Sequence, residues 1–227
     1  MKHQFKLVLF SLFISIFAYG QAPRATSLDY SDVSMLGRKS AKNSEVVKGS
    51  PYINKVFGHG KVVNAAENVF LRYNAYDDLF EFISPNNDTL VLSKTESYGD
   101  ILFTGTKINY RLVNYTDKNN KLTKGYLIQL HQKNDFILYK KQKVNYSSAR
   151  PAVSSYAEDL PAEYTIAAEV FYLKSKDQEI LEFPTSKKGL VKLYPDRKEA
   201  IETFLKQNKI NFDSEADLKK LIDFLAG

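Results

Sequence analysis

The feature that most constrains this chain is a period of two that runs from Lys61 to Phe183 and is cut repeatedly by short polar turns. Val69, Leu71 and Tyr73 alternate with Phe70, Arg72 and Asn74; Asp77-Asp78 interrupts, and Leu79–Ile83 resumes. Apolar side chains at every second position place one face of an extended strand against a core, and Asp is a common turn former, so this stretch predicts a β-hairpin. Pro85–Asp88 predicts a second turn, followed by a strand over Thr89–Leu92. Further strands are predicted over Ile101–Thr104 and Lys107–Tyr115, with a turn at Asp117–Asn120. Gly125–His131 and Asp135–Lys141 read as a hairpin across Gln132–Asn134, and Glu163–Lys174 and Gln178–Phe183 as a last pair turning at Ser175–Asp177. Connections this short exclude parallel crossovers, which need a dozen or more residues, so the strands pair antiparallel. Polar residues inside them (Arg111, Gln129, His131) point to a sheet with one packed and one solvated face.

After Phe183 the period changes to that of a helix. Thr185-Ser186 can start a short helix ending near Leu193, before Pro195. Asp196 with Glu199 resembles a capping box, and Ala200, Ile201, Phe204 and Leu205 form an apolar stripe behind it. Ser214 with Asp217 repeats the start signal ahead of Leu218, Leu221, Ile222 and Leu225. Both stripes are expected to pack in the core. The fold class expected is α+β: an antiparallel curled β-sheet, as a partial barrel or sandwich, followed by C-terminal helices over about 186–227.

The N-terminus sets a second constraint. Lys2 and Lys6 precede an apolar run from Leu7 to Ala18, and Ala18 and Gly20 are small residues before Gln21. These are the parts of a cleavable secretory signal, and the apolar run is too short to span a bilayer. The expected organisation is a signal peptide over 1–20, a flexible linker over 21–48 that is poor in apolar periodicity, and a single domain over 49–227. The chain has no cysteine, which excludes disulfides, thiol catalysis, cysteine-ligated metals and a lipoprotein anchor. The expectation is an exported, unanchored protein of the periplasm or medium, with no membrane span after cleavage, stabilised by an ordinary core.

Charge adds little. The chain holds 32 lysines and arginines against 26 acidic residues, a net charge of +6. Residues 1–20 contribute two lysines and no acids, so the remainder carries +4. The basic runs are short and scattered, without an aromatic-basic recognition pattern, and no nucleic-acid partner is expected.

No residue qualifies as catalytic, cofactor-binding or metal-ligating. Apart from His3 in the signal, the histidines are His59, expected in a tight exposed turn between Gly58 and Gly60, and His131, expected at a strand end with a structural role. Two distant histidines without cysteine do not supply the usual ligand set of a zinc centre. Asp77-Asp78 is read as turn chemistry rather than a carboxylate pair. Asn87, Asn114 and Asn145 each begin an Asn-X-Ser/Thr triplet, which turn-rich composition yields by coincidence. No nucleophile elbow, phosphate-binding loop or dinucleotide fingerprint is present. Among the aromatics, 15 Tyr and 15 Phe with no Trp, many tyrosines fall in or beside strands. Tyr suits half-buried sheet positions, and it also suits a groove or barrel mouth that binds a small ligand, glycan or peptide.

Four stretches, Gly49–Asn54 (GSPYIN), Arg72–Tyr76 (RYNAY), Ser155–Pro161 (SYAEDLP) and Ser214–Leu221 (SEADLKKL), resemble a group of small exported proteins from flavobacteria and their relatives. The resemblance implies export and a structural role for these motifs; the group has no assigned activity, so no functional residue transfers. The reading leans to an exported non-enzymatic cell-envelope protein, a binding or structural module whose partner is an envelope protein, a glycan or a small ligand, without a cofactor. The alternative is a periplasmic hydrolase acting through carboxylates the sequence does not identify.

Overall fold

A computed structural model describes residues 47–65, 68–152, 156, 158–176 and 178–227. The expected signal peptide, the linker up to residue 46 and part of the Ser155–Pro161 motif lie outside the described residues. Lys48, assigned to the linker, already belongs to the fold: its amide donates to Ala162 O and its carbonyl accepts from Tyr164 N, each at 2.9 Å.

The alternating pattern folds as strands β1 (Gly58–Val62), β2 (Val69–Asn74), β3 (Leu79–Ile83), β4 (Thr89–Val91), β5 (Asp100–Phe103), β6 (Asn109–Thr116), β7 (Leu122–Lys133) and β8 (Phe136–Lys141). Then follow β9 (Val144–Ser147), β10 (Glu163–Ile166), β11 (Val170–Ser175) and β12 (Ile180–Glu182). The five turns expected from sequence each place one residue at positive φ: Asp78, Asn87, Asn120, Asn134 and Lys176. Four of these are Asn or Asp, whose short polar side chains tolerate the left-handed region that most residues avoid.

Ten strands form one sheet in the order β12-β11-β8-β7-β6-β5-β1-β2-β3-β4. Its topology turns on β6. One edge of β6 pairs with β7 along its length, while the other carries β5 on the Asn109–Arg111 end and β12 on the Tyr115–Thr116 end. The β12–β6 pairing is parallel and closes β6, β7, β8, β11 and β12 into a five-stranded barrel. Strands β5, β1, β2, β3 and β4 extend beyond it as a wing. A register shift between Gln129 and His131 lets β7 bend.

In the middle of β7 this closure buries both faces, whereas β1 and the start of β2 keep the expected alternation of buried and exposed residues. Gly125, Tyr126, Leu127 and Ile128 of β7 are all buried. Leu127 packs inside the barrel with Tyr115, Tyr139, Tyr172 and Ile180. Tyr126 and Ile128 point the other way and pack under the wing, against Leu71, Phe80, Phe82 and Ile101. Arg111 and Gln129 share the inner face with Leu127 and bond to each other at 3.3 Å; Arg111 also pairs with Asp100, and its side chain stays 40% exposed.

Two further expectations are corrected. Gly58-His59-Gly60 is the start of β1, not a turn, with His59 opposite Phe70 and their rings 4.0 Å apart. The flanking glycines serve close packing: a Cβ on Gly60 would lie 2.7 Å from Leu71 Cδ1. Glu163–Lys174 is two strands, not one. Strand β10 pairs with β9 in a separate two-stranded ribbon, the chain steps across at Ala167, whose amide bonds Lys143 O, and β11 joins the barrel.

Helices α1 (Lys187–Leu193), α2 (Lys198–Asn208) and α3 (Glu215–Ala226) cover the outer face of the barrel. Ser186 and Ser214 cap α1 and α3, each accepting from the amide three residues on. The capping box expected at Asp196 is absent: a single 3-10 turn, Pro195–Arg197, leads into α2 with Arg197 at the cap position and no side-chain bond to the first turn of the helix. Leu218, Leu221, Ile222 and Leu225 are buried against Leu138 and Leu173 of the barrel and Ile201 and Leu205 of α2, as the stripes require. Ala200, counted in the α2 stripe, is exposed. No helix among the described residues is long and apolar enough to cross a membrane.

Candidate functional site

Beyond the β6–β5 end of the barrel, the chain leaves a cavity of about 270 Å³. Its outer wall is the segment before β1, through Ile53, Asn54 and Val56; its opposite lip is the β5–β6 turn, through Thr104, Gly105 and Thr106. The remaining lining includes Phe103, Ile108, Tyr73 and Tyr110, so the enclosed surface is mostly aliphatic and aromatic. The β5–β6 turn is fixed to β1 by Thr104, whose amide and hydroxyl both donate to His59 O. His59 contributes to the rim; the sequence singled it out and misplaced it.

The polar groups of the cavity are few. Arg72 lines it, yet its charge is already satisfied. Its Nε and Nη2 donate to Glu81 Oε2 at 2.8 and 2.6 Å, and Nη2 also donates to Tyr52 Oη at 2.9 Å. Tyr52 Oη in turn donates to the Glu81 carboxylate at 3.0 Å. The guanidinium is sandwiched between the rings of Tyr52 and Phe57, 3.9 and 4.4 Å from their centroids. Glu81 is only 3% exposed, so this ion pair is a wall of the cavity. Tyr110 donates its hydroxyl proton to Gln142 Oε1 at 2.9 Å. Burial pushes the Tyr110 phenol far above its usual range, so it stays a donor at any ordinary pH.

Tyr73, on the floor, connects the cavity to a buried ionic cluster that sequence reading missed. Its hydroxyl donates to Asp78 Oδ1 at 2.6 Å. The same carboxylate receives Lys141 Nζ at 2.5 Å, Lys94 Nζ at 2.8 Å and Tyr126 N at 3.3 Å. Burial pushes the Asp78 carboxyl up, but the Lys141 ammonium and the hydrogen bonds outweigh it and hold it below the usual carboxylate range. Burial pushes the Lys141 ammonium down, and Asp78 offsets this only in part. Burial, with Asp78 alongside, drives the Tyr73 phenol well above its usual range. Asp77, the neighbouring acid, is exposed and accepts from Asn74 Nδ2. The adjacent pair is therefore split: one residue makes the turn and the other anchors it to the barrel. The available signal was weak: Phe136–Lys141 is apolar on both faces until its two terminal lysines, so either face turned to a core carries an ammonium that requires a carboxylate nearby.

Carboxylates do not converge in the cavity: among the described residues, no Asp or Glu lines it. Asp78, Glu215, Asp217 and Asp223 are all held low, the reverse of a carboxyl poised to donate a proton. His131 lies far from the cavity, bonding through Nε2 to Asp223 Oδ1 of α3 at 2.8 Å. Among the described residues, no group of three or more His, Asp or Glu is placed to hold a metal ion. No protein family, characterised protein or solved structure matches the chain, so the geometry of the cavity carries the functional reading.

Proposed function

We propose that this chain is a non-enzymatic protein of the cell envelope that binds a small molecule in the cavity between the β1 lead-in segment and the β5–β6 turn. The observation that carries the reading is the cavity itself: concave, mostly apolar and preformed, with a few fixed polar groups, as small-molecule sites are. Of the partners the sequence leaves open, this favours a small ligand over an envelope protein or a glycan. The absence of carboxylates from the lining weighs against the hydrolase alternative, which needs two of them flanking the scissile bond. Export rests on the N-terminal signal pattern, and the lack of cysteine argues only against a lipoprotein anchor.

The test is to incubate the purified chain with an organic extract of its native envelope, repurify it and identify retained small molecules by mass spectrometry. A compound retained by the wild type and lost from Ile108→Trp, which fills the cavity, supports the reading. Equal retention by both refutes it. For export, a mature N-terminus near Gln21 is expected on sequencing protein from the periplasm or medium; uncut protein in the membrane fraction refutes that part.

A further inference from the structure

We infer that the ligand is an uncharged, mainly apolar molecule carrying a carbonyl oxygen, and that the Gln142 side-chain amide is the donor that reads this oxygen. The inference rests on the reading of the cavity as a small-molecule site and adds the chemistry of its occupant.

Charge comes first. Among the described residues, Arg72 alone in the lining carries a permanent charge, and Glu81 neutralises it at 2.6 Å. Of its five N–H groups, Nε and both on Nη2 are engaged by Glu81 and Tyr52, and one on Nη1 lies toward Lys55 O at 3.4 Å. A ligand carboxylate could reach only the one Nη1 N–H left over, because Glu81 already holds the two-pronged Nε and Nη2 edge, and it would give up its water in an apolar enclosure for that single bond. A ligand ammonium would meet no acid in the lining and would lose its water in an apolar enclosure. Behind the floor, Asp78 faces both Lys141 and Lys94; the surplus positive charge sits on Lys94, whose side chain is 34% exposed and is screened by water.

Hydrogen bonding comes second. The two floor hydroxyls are committed as donors, Tyr73 to Asp78 and Tyr110 to Gln142 Oε1. A carboxamide whose oxygen accepts from a phenol has its two N–H bonds left to offer. Gln142 Nε2 has no partner among the described residues, and the half-buried side chain lines the cavity. A ligand oxygen that accepts from Nε2 completes the chain Tyr110 O–H to Gln142 to ligand, in which each bond polarises the next. A hydrocarbon would leave the donor unmet.

The test uses three matched probes that displace the neutral dye N-phenyl-1-naphthylamine: 2-acetylnaphthalene, 2-ethylnaphthalene and 2-naphthoate. Wild type should bind the ketone roughly fivefold more tightly than the hydrocarbon, the worth of one neutral hydrogen bond, and the carboxylate most weakly. Gln142→Leu should equalise ketone and hydrocarbon while leaving hydrocarbon affinity in place. Gln142→Glu keeps an oxygen for Tyr110 and removes the N–H, so it should lose the preference too and guards against a packing defect in the leucine variant. A ketone preference that is absent in wild type, or that survives both substitutions, overturns the role of Gln142. Tightest binding of naphthoate overturns the exclusion of charge. If neither the dye nor any probe binds, the failure lies with the reading of the cavity as an apolar ligand site, and this inference falls with it.

Discussion

Asp78→Ala should be among the most damaging single substitutions outside the apolar core, and the reason lies in what it leaves behind. Lys141 Nζ is buried against the barrel, its side chain 10% exposed, and its charge is balanced at 2.5 Å by Asp78 alone. Its other bonds, to Tyr126 O and Tyr73 Oη, supply polarity but no countercharge. Breaking a buried pair by removing one partner costs about 3–5 kcal/mol, against a total of roughly 5–15 kcal/mol for a typical domain. With a urea slope of about 2 kcal/mol/M, the unfolding midpoint should fall by roughly 1.5–2.5 M. Lys141→Met alone should also destabilise, by stranding the Asp78 carboxylate, though less, because Lys94 still reaches Oδ2 at 2.8 Å. The double variant should recover most of the loss, since two neutral side chains leave no bare charge. pH adds an independent readout. Asp78 is held below its usual value in the fold, so the unfolded chain takes up protons first on acidification. Its stabilisation is complete above the unfolded carboxyl range near pH 4 and is lost as pH falls through the lower folded value. Asp78→Asn should remove that part of the acid slope. Additive single-variant losses with no recovery in the double, or an unchanged acid slope, would refute the view that this pair locks the β2–β3 hairpin to the barrel.

Three further outcomes follow from the packing. Leu221→Ala, at a fully buried position of α3, should cost about 2–5 kcal/mol in denaturant unfolding, while Lys220→Ala, whose side chain is 60% exposed in a surface ion pair, should cost under about 0.5 kcal/mol. Ser214→Ala should lose about 1 kcal/mol by freeing the Asp217 amide, whereas Asp196→Ala should lose almost nothing, because Asp196 makes no cap; thermal melts of the two distinguish the observed helix starts from the one the sequence suggested. Gly125→Ala should destabilise through the ionic cluster, since its Cβ would sit 2.5 Å from Asp78 Oδ2 and 3.2 Å from Tyr115 Oη; combining it with Asp78→Ala should cost less than the two alone add up to.

The sequence revealed local structure well and long-range structure poorly, for a physical reason. Alternation and turn chemistry are local, so the β2–β3, β6–β7 and β7–β8 hairpins, the five turns and the two serine-capped helices are all readable in it. Barrel closure depends on Ile180 and Leu181 meeting Tyr115 and Thr116 across more than sixty residues, and nothing local marks that pairing. The same holds for the break at Ala167, which separates two runs of equal β-propensity. At His59, two flanking glycines look like a turn, although here they clear space for Leu71 and Phe103. The cavity was legible only as an excess of tyrosine in strands. Which tyrosines line it, and that Gln142 keeps a free amide there, follow from bringing β2, β6 and the residue after β8 together.

The claim that the cavity is a ligand site is tested most directly by backbone and side-chain amide NMR of the labelled chain titrated with N-phenyl-1-naphthylamine. Saturable shifts are expected at Gly58, Phe103, Gly105, Thr106 and Tyr110 and at the Gln142 side-chain amide, all absent in Ile108→Trp. Shifts that cluster instead at the groove of Thr116–Lys118 and Leu193, or on the β9–β10 ribbon, or that persist unchanged in the filled variant, would contradict it.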